Sequence, residues 1–200
     1  MQPFIQGKLP HNMKRARPLN KELRTIVASK LTKYLERGYC KIVHQSYVQN
    51  YIDYFPVPKG KDDIRMVFNG YSCGLNKQVW APSFWLTTSA TMMRSFSFNY
   101  KFVDMDLGEM LLNFSLHRAL IPYSGIDLSP LVNELRSTVP QLIPSQDQLG
   151  SSRLSAVWLR TWMGFKPSPY WAVCYYYLAE EFCRGNQKDK TNPLLGLSGS

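Results

Sequence analysis

Histidine, cysteine and acidic residues are scarce in this 200-residue chain: three, four and 14 of them stand against 24 Lys and Arg. The cysteines, Cys40, Cys73, Cys174 and Cys183, form no Cys-x-x-Cys pair, and no histidine stands at zinc-ligand spacing. That argues against a zinc module and against a disulfide framework, and it reads as reduced, packed thiols of an intracellular protein. A long apolar run is also missing. The longest, Trp171 to Ala179, is far too short to cross a bilayer, and Met1 to Pro10 has no continuous apolar core of the secretory kind, so no membrane anchor is expected. There is no internal repeat.

The shortage of acids is uneven. Residues 1–61 hold 12 of the 24 basic side chains and only Glu22, Glu36 and Asp53 among the acids, a surplus of nine out of the formal net charge of +10. A front end this basic suits a polyanion such as nucleic acid or an acidic membrane surface; a plain soluble basic face has equal claim on charge alone. Residues 1–18, with Pro10, Pro18 and Lys14-Arg15-Ala-Arg17, are expected to form a basic flexible arm. Residues 191–200 are expected to form a flexible tail, leaving one domain over 19–190.

Periodicity supplies the elements between. Leu23, Ile26, Val27, Leu31, Tyr34 and Leu35 fall at three- and four-residue spacing, Asn20 is placed to cap and Gly38 to stop, so a helix is predicted there. Its polar face carries Lys21, Arg24, Lys30, Lys33 and Arg37. Tyr47 to Val57, the tip Pro58-Lys-Gly-Lys-Asp-Asp63 and Ile64 to Phe68 predict a β-hairpin bearing Lys59, Lys61 and Arg65. A short helix over Leu131–Val139 precedes a surface loop. Ser168 as cap and Pro169 in the first turn predict a last helix, Tyr170 to Cys183, with Val173, Tyr176, Tyr177 and Ala179 toward the core.

The stretch Lys101-Phe-Val-Asp-Met-Asp-Leu-Gly-Glu-Met-Leu-Leu-Asn-Phe-Ser-Leu116 starts with strand alternation, which sends Asp104 and Asp106 to one face, and then turns helical after Gly108. Two carboxylates at a strand end suit a divalent cation; a solvated turn is the competing reading.

The order of segments adds a likeness. Leu35-Glu-Arg-Gly38, Phe55-Pro-Val-Pro-Lys-Gly60, Ile64-Arg-Met-Val67, Gly74-Leu-Asn76, Pro82-Ser-Phe-Trp-Leu86, the Asp106 stretch, Tyr123-Ser-Gly125 and Trp162-Met-Gly-Phe-Lys-Pro-Ser-Pro169 follow one another as in the fingers and palm of reverse transcriptases, especially those of retroelements. The chain resembles that family over roughly residues 19–186. The resemblance implies an α+β fold of fingers, residues 19 to about 96, joined to an incomplete palm with an antiparallel sheet. It implies RNA-directed DNA synthesis on an RNA template and DNA primer from dNTPs with two Mg²⁺ ions. Asp106 then corresponds to the catalytic, metal-binding aspartate with Glu109 as the second acid, and Leu107 to the carbonyl donor of the second metal. Lys59, Lys61 and Arg65 correspond to triphosphate contacts, and Gly164 and Lys166 to the glycine motif near the nucleotide. Leu111 falls where the family has an aromatic sugar gate, with Phe114 as a substitute; Asn69 and Met163 depart from the usual residues. The Tyr-x-Asp-Asp motif expected downstream does not follow residue 169, so these 200 residues alone are expected not to polymerise and to need a C-terminal palm and thumb portion. An RNA-directed RNA polymerase fragment and a non-catalytic nucleic-acid-binding remnant remain as alternatives.

Overall fold

A computed structural model describes residues 5–60, 63–86, 88–94, 108–186 and 188–192. Helix α1 (Lys21–Glu36) forms where the spacing predicts it. The Asn20 side chain accepts the Leu23 N–H at 2.8 Å, and Gly38, at φ +66°, turns the chain so that the Tyr39 N–H reaches the Tyr34 carbonyl at 2.9 Å. The face that disappears is Val27, Ala28, Leu31 and Leu35.

Strand β1 (Cys40–Val43) follows. A hairpin of β2 (Asp53–Lys59) and β3 (Asp63–Asn69) comes next, paired antiparallel from Asp53↔Asn69 to Lys59↔Asp63. Alternation sends Tyr54, Ile64, Met66 and Phe68 inward and leaves Val57, Lys59 and Arg65 exposed. Short helices α2 (Leu75–Gln78) and α3 (Ser89–Arg94) precede β4 (Gly125–Asp127), α4 (Val132–Thr138), α5 (Gln146–Leu149) and β5 (Ser155–Trp158). Strands β1, β5 and β4 form one antiparallel sheet in that order, and the fully buried β5 lies at its centre. The architecture is α+β with antiparallel sheets.

That sheet joins segments from both sides of residue 106, and one apolar core runs from Val27 through Leu75 and Leu135 to Phe165. The expected boundary near residue 96 therefore does not divide the core. Asp104, Asp106, Leu107 and Lys61 lie outside the described residues, as do residues 193–200.

Two local expectations change. Residues 5–18, expected as a flexible arm, are laid along the body. Tyr51 donates its N–H to the Asn12 carbonyl at 2.7 Å, Arg153 reaches the Met13 carbonyl at 2.8 Å, and Ala16 donates to Asp127 at 3.1 Å. Helix α6 (Ser168–Arg184) forms, but Ser168 is its buried first residue and not its cap: its hydroxyl is spent on the Trp162 carbonyl at 3.0 Å. Its packed face is Ala172 with the half-buried Trp171 and Val173, whereas Tyr176, Tyr177 and Ala179 are exposed among the described residues. Of that expected inward set only Val173 is even half-buried. No described helix is long and apolar enough to cross a membrane.

Candidate functional site

Between the hairpin, the segment 109–112 and the turn at 162–163 lies a cavity of about 410 Å³. A run of aromatic rings lines it. Phe68 meets Trp158 edge-on at 4.8 Å and Trp158 stacks on Trp162 at 5.9 Å, while Phe165, outside the lining, stacks on Trp162 at 4.7 Å. Both indole N–H groups in this run are buried with no hydrogen-bond partner among the described residues.

The charges around the cavity sort into pairs and remainders. Lys30 of α1 meets Asp63 at 2.7 Å, and this holds the Asp63 carboxyl below its ordinary range. Arg37 contacts both carboxylate oxygens of Glu109 at 2.6 Å, and the Tyr39 hydroxyl donates to the same carboxylate at 2.9 Å. Glu109 stands at φ +54°, a conformation that L side chains rarely adopt, with its carboxylate held in this way. Lys59 and Arg65 are exposed and have no ion pair among the described residues. With both acids matched, Asp63 by Lys30 of α1 and Glu109 by Arg37 just past its end, the two hairpin cations leave the described lining net positive.

Sequence-predicted residues are therefore brought together in part. Lys59, Arg65 and Leu111, separated by up to 52 positions, line one cavity, and Met163 joins them from a fourth segment. Gly164 and Lys166 sit beside it and not in its wall. Gly164, at φ +102°, has the Phe68 carbonyl where a Cβ would go, so the close approach that demands glycine comes from the chain's own strand. Lys166 donates its ammonium to the Val79 carbonyl, just past α2, at 3.0 Å. Phe114 stacks on Tyr175 at 4.8 Å, outside the cavity lining, so it is no substitute for the residue at 111.

The α1 basic face is also less free than its composition suggests: Arg24 faces Glu134 at 3.5 Å, in addition to the Lys30 and Arg37 pairs. Among the described residues no three His, Cys, Asp or Glu side chains gather as a metal site, and the expected ligands Asp106 and Leu107 lie outside them. What sequence reasoning missed is the structural half of the site. Tyr34 reads as one of the apolar positions of the first helix, Trp158 carries no reading at all, and nothing in their spacing marks a cavity wall. No protein-family model matches the chain, and no curated protein is detectably similar to it.

Proposed function

We propose that this cavity takes the polyphosphate of a nucleoside triphosphate. On this reading the chain is the nucleotide-binding part of a template-directed polymerase of the reverse-transcriptase type, working on an RNA template and DNA primer. The observation that carries it is the convergence of Lys59 and Arg65, neither of them in an ion pair among the described residues, with Leu111 and Met163 in the lining of one cavity that also holds Phe68, Trp158 and Trp162. Two cations over an apolar basin match a ligand that is anionic at one end and flat and weakly polar at the other. Magnesium, if held by Asp106 and the Leu107 carbonyl as this reading requires, would supply charge neutralisation and activation of the primer hydroxyl. The residues described here bind and orient: the guanidinium of Arg65 forks onto phosphate oxygens, and Lys59 adds a point charge.

The ring of Phe114 is engaged by Tyr175, so on this reading Leu111 would serve the sugar position alone. That favours, as a second reading, a polymerase that accepts ribonucleotides and makes RNA.

Calorimetric titration of the chain with dATP and with ATP, each with Mg²⁺, tests both. Binding that Arg65→Ala weakens about tenfold or more is expected, the size of one charge-assisted hydrogen bond. Equal affinity for the two nucleotides favours the second reading. An unmodified chain that binds neither would remove the proposal.

A further inference from the structure

The turn that carries Met163 into the cavity is held by a side chain with no place in the site described so far. Asn76, in α2, donates from its amide nitrogen to the Gly164 carbonyl at 2.8 Å and accepts the Lys166 N–H on its amide oxygen at 3.0 Å. One planar amide thus takes a donor and an acceptor from the two ends of the same turn, which fixes the turn in translation and in tilt. The amide is itself fixed. Its own backbone N–H bonds the Gly70 carbonyl at 2.9 Å, and a Cβ on Gly70 would stand 3.0 Å from the amide oxygen, so glycine there leaves the space the amide fills. Lys166 closes the clamp from the other side by its bond to Val79. On the far face the Phe68 carbonyl presses on Gly164.

We propose that Asn76 is a positioning residue for the nucleotide cavity. It touches no ligand, and it sets the depth to which Met163 enters by gripping the 164–166 turn against the end of β3. The ligand in this inference rests on the nucleotide reading above; the grip on Met163 does not. A turn released from Asn76 keeps its pivot at Phe68 but loses its register, so the wall opposite Leu111 moves and the cavity loses its fit to the flat end of the ligand.

The test uses the full chain with ¹³C-methyl methionine. Eight methionines give few signals, and that of Met163 is assigned by its loss in Met163→Leu. In Asn76→Ala the Met163 methyl resonance is expected to move while that of Met13, which is not in the cavity lining, stays, and dATP affinity is expected to fall at least fivefold. Asn76→Asp keeps the acceptor for Lys166 but sets a carboxylate oxygen against the Gly164 carbonyl; it should also shift Met163, and it serves if the alanine variant does not fold. A Met163 signal unmoved in both variants, even with a lower melting temperature, overturns the inference. If the unmodified chain binds no dATP, the nucleotide reading fails, and the Met163 shift still decides whether Asn76 sets the turn.

Discussion

At Gly164 a methyl group would meet the Phe68 carbonyl on a backbone already at φ +102°. Neither the strand nor the turn can yield, because Phe68 is buried in β3 and the turn is held by Asn76. Gly164→Ala is therefore expected to destabilise the fold by about 3 kcal/mol or more, read as a lower urea midpoint. Glu109 presents the opposite case. Its left-handed backbone costs about 1 kcal/mol, and its exposed pair with Arg37 offsets that only weakly. Glu109→Gly removes both, so its urea midpoint is expected to stay close to that of the parent. A large loss in urea titration would mean that the Arg37–Glu109 contact matters far more than its exposure implies.

The elements divide according to how local their causes are. Helix α1 was legible because its cap, its stop and its apolar spacing lie within the same 20 or so residues; Asn20→Ala should cost about 1 kcal/mol by thermal denaturation. The hairpin was legible for the same reason, since alternation and a Gly-containing tip are short-range signals. In the hairpin, Arg65 faces solvent opposite Val57, so Arg65→Ala should alter the urea midpoint negligibly while it weakens nucleotide binding, a separation that a structural arginine would not show. Helix α6 was legible in extent and not in orientation. Its tyrosines and leucine occur on every side, so the sequence alone did not show which face meets the body, and the packed face is the small one around Ala172. The pairing of Lys30, Arg37 and Arg24 with acids from distant segments was hidden for a related reason: periodicity places a charge on a face and says nothing of what crosses it. The contacts of Lys166 with Val79 and of Phe114 with Tyr175 were hidden in the same way, since each partner lies far along the chain.

For the whole molecule, the buried titratable groups set how stability follows pH. Burial, with the Asp127 and Asp53 carboxylates nearby, pushes the Tyr54 phenol well above its ordinary 10, and burial also raises Tyr34, Tyr51 and Cys40. All four stay neutral when folded at a pH where the unfolded chain ionises them. Their contribution is thus fully present below about pH 8, where even the unfolded Cys40 thiol is protonated, and is lost as the pH climbs through the unfolded values toward the raised native ones. Urea midpoints should be level from about pH 6 to 8 and fall above it, and Tyr54→Phe should make the fall above about pH 10 shallower. On the acid side, Asp63 is held below its ordinary 3.8 by Lys30, so its share is present above that value and disappears as the pH drops past it.

The convergence of hairpin, 109–112 segment and 162–163 turn on one ligand is tested most directly by locating a bound triphosphate. Met66, Met110 and Met163 line the cavity from those three segments, while Met93 lies outside it and is 69% exposed. With ¹³C-methyl methionine and a dATP titration in Mg²⁺, the three cavity signals should move together along one saturation curve, Met93 should stay still, and Arg65→Ala should shift the curve to higher concentration. Cavity signals that stay fixed while dATP binds and moves others would contradict the assignment of this cavity as the nucleotide site.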